Sequence, residues 1–407
     1  MSAFDRLRAQ LIPTSDALLQ VAQKNLLKAL AGNVSFKSKT SRNGLNYAVF
    51  ERTPGHESGA AKGTLVLMHG YGSGLGFFFR NYFGLLGSFN KVVAVDWAGM
   101  GGSSRVLMED ATPRISWSSL AYSAFTGNQQ VIDDLSVPRS ISFFTDSLKG
   151  CLDEALGEGH QPYTLAGHSL GGYLVTHYAR KYHEEVDSLI LISPAGVCKI
   201  PEEAKKNEAK AGDVGWGLRA LKTFWSLNGT PQDIIRLSGS YGPQMIKTSL
   251  GRRFGKRFDE EHLRLVADYL YHISAAQASG EYSLNSLLHP FAYLQPGDPE
   301  RADGRSGSDS KFGTQLRAGV FAKKPLEEEM KTHPFAVQNK PVLIAYGDND
   351  WLRFDGVEKV VQKWNEDFGI PTTLAIIEKA GHHLYLDNHE SFHSSIESWR
   401  GNNCTKE

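Results

Sequence analysis

Cysteine is scarce in this chain. Cys151, Cys198 and Cys404 are 3 of 407 residues, odd in number and far apart. That excludes a disulfide framework and the paired spacings of a zinc site, and it suits a reducing compartment. An excess of one charge is also lacking. The 44 basic residues meet 44 acidic ones, so nothing global selects a polyanion, and nucleic acid is not an expected partner. No apolar run reaches the roughly 20 residues that span a bilayer. The opening MSAFDRLRAQLIPTSDALL has no apolar core before a small-residue cleavage site, so it does not read as a secretory signal. Arg6 and Arg8 there would fit mitochondrial targeting, and Asp5 and Asp16 count against it. A soluble intracellular protein is the expectation.

What is present is an alternation of strand and helix signals. Thr64–Met68 (TLVLM), Lys91–Val95 (KVVAV), 163–166 (YTLA), 188–192 (SLILI), 341–346 (PVLIAY) and Thr372–Ile377 (TTLAII) are short continuous apolar runs. Runs without polar alternation point to strands buried on both faces, as in a parallel sheet covered by helices. Each stops at Gly, Ser, Asp or His, where ligands sit in open α/β sheets. Between about 196 and 339 the rhythm changes to helical segments: GWGLRALKTFW, PQDIIRLSG and EEHLRLVADYLYHISAA. A polar, glycine-rich stretch at 295–313 reads as a mobile loop. No internal repeat is evident. The expected organisation is an N-terminal helical segment (1–40), an α/β core (41–196 and 340–407) and a helical cap (197–339).

Gly167-His168-Ser169-Leu170-Gly171 lies between a strand and a helix signal, the context a nucleophile elbow requires. Flanking glycines permit the tight turn that exposes the serine hydroxyl. His69-Gly70-Tyr71-Gly72 follows an earlier strand, where this fold supplies an oxyanion-hole amide. The expected donors are the backbone N–H groups of Tyr71 and Leu170, each worth about 3–4 kcal/mol on charge that appears only in the transition state. A serine needs a base, and the base a carboxylate, following in that chain order. Asp350 in YGDNDW is the expected acid, with Asp348 competing. His382 in EKAGHH is the expected base, with His383 as a packing neighbour. The predicted fold is therefore an α/β-hydrolase fold: a mostly parallel eight-stranded sheet with a helical cap insertion.

With these residues in place, the chain resembles the α/β-hydrolase domain-containing proteins four and five and their plant and fungal relatives. The marks are VLMHGYGSGLGFFFRN, VVAVDWAGMGGSSR, LAGHSLGGYL, LISPAGV, the cap stretch YLYHISAAQASGEYSLNSLL, YGDNDWL and AGHHLYLDN. That group includes lysophospholipid and N-acyl-phospholipid hydrolases, a fungal cardiolipin deacylase and a lipid-droplet lipase co-activator. The resemblance implies a serine esterase acting on acyl-glycerophospholipids, cytoplasmic or peripheral to a membrane or lipid droplet, needing no metal or organic cofactor. It also implies an H-x-x-x-x-D motif, here His382 and Asp387, associated with coenzyme-A-dependent acyl transfer to lysophosphatidic acid. Asp387 reads equally as the cap of the helix that follows. The co-activator branch has lost its serine and anchors through N-terminal tryptophans. Here Ser169 is intact and the first tryptophan is Trp97, which argues against a non-catalytic regulator. In the cap, Arg252, Arg253, Lys256 and Arg257 interleave with two phenylalanines and are candidates for a phosphate headgroup, against a solvated basic face. Phe77-Phe78-Phe79 would line an acyl pocket or pack in the core. A helical stripe at 14–30 (Leu19, Ala22, Leu26, Leu27, Leu30) would lie on a membrane or pack on its own domain.

Overall fold

The computed structural model describes residues 12–29, 34–52, 62–105, 130–209, 229–255, 257–296, 314–332, 339–354 and 356–403. Its main sheet has eight strands: β1 (Val34–Thr40), β2 (Asn46–Arg52), β3 (Thr64–Met68), β4 (Lys91–Val95), β5 (Tyr163–His168), β6 (Val186–Ile192), β9 (Val342–Gly347) and β10 (Thr372–Ile377). Their spatial order is β1-β2-β4-β3-β5-β6-β9-β10. From β4 to β10 every pairing is parallel, and β2 runs antiparallel to both its neighbours.

Side chains alternate across the sheet between two hydrophobic clusters. Val66, Met68, Val93 and Val95 join one, and Leu65, Leu67, Val92 and Ala94 join the other. Both faces are thus buried, which is why these strands are apolar at every position. The first cluster also holds Phe144 and Leu148 of α2 (Gln130–Leu156) and Leu174 and Tyr178 of α3 (Leu170–Lys181). At the far edge β1 (VSFKSKT) leaves Lys37 and Lys39 exposed, charges that discourage another chain from pairing there. Because β1 starts at Val34 and pairs with β2, the sheet reaches back into the 1–40 segment read from sequence as helical. Helix α1 (Asp16–Lys28) begins at Ser15, whose side chain accepts from Leu18 N–H. Its stripe of Leu19, Ala22, Leu26 and Leu27 is buried against its own domain, so that stripe is core; Leu30 lies outside the described residues.

Between β6 and β9 the chain builds α4 (Pro231–Leu237), α5 (Gly242–Phe254) and α6 (Glu260–Ala275). It then forms a separate antiparallel hairpin, β7 (Leu288–Pro296) with β8 (Thr314–Ala322). The sequence reading had only helices here. A hairpin whose strands are divided by the polar residues 297–313 carries no tight-turn signal, so propensity alone does not reveal it. Those residues and the GWGLRALKTFW segment lie outside the described residues. After β9 come α7 (Val357–Glu366), β10 and the C-terminal α8 (His389–Asn403).

Candidate active site

Ser169 sits between β5 and α3 with φ 56° and ψ −120°, a conformation that L-residues rarely adopt. Its amide donates to Ile192 O at 2.9 Å, pinning the turn to the end of β6. The flanking glycines are sterically dictated. A Cβ on Gly167 would lie 2.5 Å from Gly171 O, and one on Gly171 would lie 2.4 Å from His69 O. The turn closes only without side chains there.

The loop after β10 brings His382 to this turn. Its Nε2 lies 3.0 Å from Ser169 Oγ, and its Nδ1 lies 3.1 Å from Asp350 Oδ1. Asp350 Oδ1 also accepts the Leu352 N–H at 3.0 Å. Burial of Asp350 opposes its ionisation. The hydrogen bond and charge interaction with His382, together with the Ser193 hydroxyl and the Leu352 amide, outweigh it, and the carboxyl is held below the ordinary carboxylate range. Asp348 does something else. It is exposed and accepts the amides of Lys379 and Ala380, both at 2.9 Å, which shapes the turn leading to His382.

His383 and His168 crowd the same place. Arg253 donates to His383 Nδ1 at 2.9 Å, and His168 Nε2 donates to the His382 carbonyl at 3.0 Å. Burial first, then neighbouring imidazoles, push both rings well below the ordinary histidine range, so both stay neutral. The ring placed between Ser169 and Asp350 is His382.

The Tyr71 and Leu170 amides have no acceptor of their own among the described residues, which leaves them available to an oxyanion. The Tyr71 loop is held from below: His69 Nε2 accepts the Trp97 N–H at 3.0 Å, and Asp96 Oδ1 accepts the Leu75 N–H at 2.6 Å. It is also held from above, because the Tyr71 hydroxyl donates to Gln232 of α4 at 2.7 Å. Gln232 carried no signal in the sequence; only the folded cap brings it to this loop.

Asp387 does not cap the following helix. Asn388 accepts the Ser391 N–H there, at 3.2 Å. Asp387 is nearly buried, pairs with Arg257, and accepts the N–H of Gly381, the residue before His382, at 2.8 Å. Arg257 is therefore engaged with protein, as Arg253 is with His383. Arg252 is exposed, and Lys256 lies outside the described residues. Phe77, Phe78 and Phe79 are all buried, and Phe77 meets His383 edge-on at 5.5 Å. Trp351, half exposed, stands 5.1 Å from the His382 ring. Metal-ligand spacing occurs among the described residues at Asp153, His160 and Glu185, where Lys149 already pairs with both carboxylates.

Comparison with known proteins gives a consistent set. The sequence pattern of the alpha/beta hydrolase fold matches residues 63–389. A 1-acylglycerol-3-phosphate O-acyltransferase of Arabidopsis thaliana is 28% identical, covering 95% of this chain and 80% of its own length. A (lyso)-N-acylphosphatidylethanolamine lipase of Bos taurus is 25% identical, covering 82% and 78%. Among solved structures, a membrane phospholipase A described as a bacterial virulence factor has a TM-score of 0.53 at 18% identity, covering 96% and 93%, a likeness of fold. The chain belongs to the α/β-hydrolase fold family, and its relatives place it with the domain-containing proteins four and five.

Proposed function

We propose that this protein is a serine esterase that cleaves acyl-glycerophospholipids or lysophospholipids through an acyl-enzyme on Ser169. The observation that carries this reading is the continuous chain from Ser169 Oγ to His382 to Asp350, at 3.0 and 3.1 Å. His382 takes the hydroxyl proton as Oγ attacks the ester carbonyl, and Asp350 holds the ring in the tautomer that leaves Nε2 free to accept. The amides of Tyr71 and Leu170 receive the oxyanion. The imidazolium then gives its proton to the departing glycerol oxygen, and the acyl group stays on Ser169. Water, activated by the same ring, releases the fatty acid and restores the serine. The substrate class comes from the relatives, whose names pair a lipase with an acyltransferase on glycerophospholipids. Such substrates lie in a lipid surface, so the protein works at one; no described helix is long and apolar enough to cross a membrane.

A second reading, acyl transfer to a lysophosphatidic acid hydroxyl in place of water, is favoured by the Arabidopsis relative. The two differ only in which nucleophile reaches the acyl-serine. Because Asp387 is spent on Gly381 and Arg257, Asp387→Asn is expected to lower hydrolysis and transfer by one common factor, about tenfold, through loss of the ion pair. Free fatty acid and acylated product are measured together, with acyl-coenzyme A and lysophosphatidic acid supplied. Fatty acid should dominate in the parent. A parent that makes mostly phosphatidic acid, with transfer alone lost in the variant, would establish the second reading instead.

A further inference from the structure

The cap carries a group of exposed apolar side chains with no described residue packed over them. Ile234, Leu237, Tyr241 and Met245 follow one another at spacings of 3, 4 and 4 along α4, a short turn and α5, and are 48, 83, 76 and 41% exposed. The inner sides of the same helices are spoken for. Gln232 holds Tyr71, and Ile246, Leu250 and Phe254 are buried in the core. Large side chains left this open within a dozen residues cost the folded monomer solubility, which points to a surface that something else covers.

Charge says what kind of surface. Residues 234–258 hold six lysines and arginines and not one carboxylate, within a chain whose charges cancel overall. Arg236 is engaged with Asp233 and Glu281, Arg253 with His383 and Arg257 with Asp387. Arg252, exposed and seven residues after Met245, returns to the same side of α5, and Lys247 is exposed on the same helix. Three carboxylates come next in the chain, at the start of α6: Asp259 accepts the His262 amide, Glu261 pairs with Arg264, and Glu260 is exposed. Exposed apolar residues in a segment with an excess of cations match an interface in which the apolar groups enter the acyl boundary and the cations meet anionic headgroups. A second copy of the chain would set like charges against each other, and a polyanion would leave Leu237 and Tyr241 in water.

We infer that this face, Ile234, Leu237, Tyr241 and Met245 with Lys247 and Arg252, docks the protein on an anionic phospholipid bilayer. The docking stands independently of the esterase reading. It places the cap against the lipid, with the Tyr71 loop directly behind it.

The test is co-sedimentation of the full chain with phosphatidylcholine vesicles made with and without phosphatidylserine. Binding should require phosphatidylserine and weaken as salt rises. Leu237→Asp combined with Tyr241→Asp should weaken it by about tenfold or more, while turnover of a soluble short-chain ester and the melting temperature stay at parental values. Lys247→Gln with Arg252→Gln should remove the salt dependence. Undiminished binding by the Leu237/Tyr241 variant would overturn the proposal. So would a parent that is a dimer in solution and a variant that is a monomer, since the face would then close on a second copy. An inactive parent that still binds would sink the esterase reading and leave this one standing.

Discussion

Ser169→Ala is expected to lower ester turnover by roughly 10⁶-fold and to abolish labelling by a fluorophosphonate probe. Alanine keeps the Cβ that the turn already accommodates at φ 56°, so it adds no contact and no new backbone strain. What disappears is the oxygen 3.0 Å from His382 Nε2. The Tyr71 and Leu170 amides remain, and whatever catalysis they give to direct attack by water remains with them. Melting temperatures and labelling read side by side separate chemistry from folding. A variant that keeps its fold and still labels would move the nucleophile elsewhere.

Asp350→Asn should cost about 10⁴-fold in kcat, because an amide offers Nδ1 of His382 a donor and turns the ring to the wrong tautomer. Asp348→Asn should leave most of kcat and act on thermal stability, since its carboxylate holds the backbone of Lys379 and Ala380 and touches no ring. Similar losses of kcat in both variants would contradict the assignment. The same carboxylate sets an acid limit. Its pKa in the fold lies below that of an unfolded aspartate, so its stabilising contribution is complete above the ordinary carboxylate value. That contribution drains away as the pH falls through the lowered one. Denaturation of the parent in acid should therefore begin below the ordinary carboxylate range, and Asp350→Asn should flatten that dependence.

The strands that carry the site were legible because they are short continuous apolar runs, buried on both faces at the sheet's centre though not at the edge strand TTLAII. TLVLM, KVVAV and TTLAII end where the structure ends them, at the loops that hold His69, Asp96 and Lys379. Four strands were not read from sequence, and β2 (NYAVFER), though mostly buried, mixes polar residues into its run. β1 is largely exposed, and β7 and β8 find each other across the polar residues 297–313. Ser169, Asp350 and His382, which the fold brings within hydrogen-bond reach of one another, were candidates in the sequence because a glycine-flanked serine and a strand-end acid and histidine are local features, with Asp348 and His383 as competitors. Gln232 and the Arg257–Asp387 pair could not be read there, since each joins positions far apart in the chain, and only the closure of the cap makes neighbours of them. Asp387 was misread for the same reason: in sequence it precedes a helix, while in the fold its carboxylate turns back to Gly381.

The contacts Gln232 to Tyr71, Arg253 to His383 and Arg257 to Asp387 also bear on transplantation. Hydrolase caps are natural units to exchange when a new specificity is wanted. In this protein a foreign cap would arrive without the glutamine that steadies the oxyanion loop and without the guanidiniums that meet the histidine loop. The recipient core would keep all its textual motifs and yet hold them slackly. A working chimera would have to carry those three side chains across with the new cap, grafted at equivalent heights above the sheet.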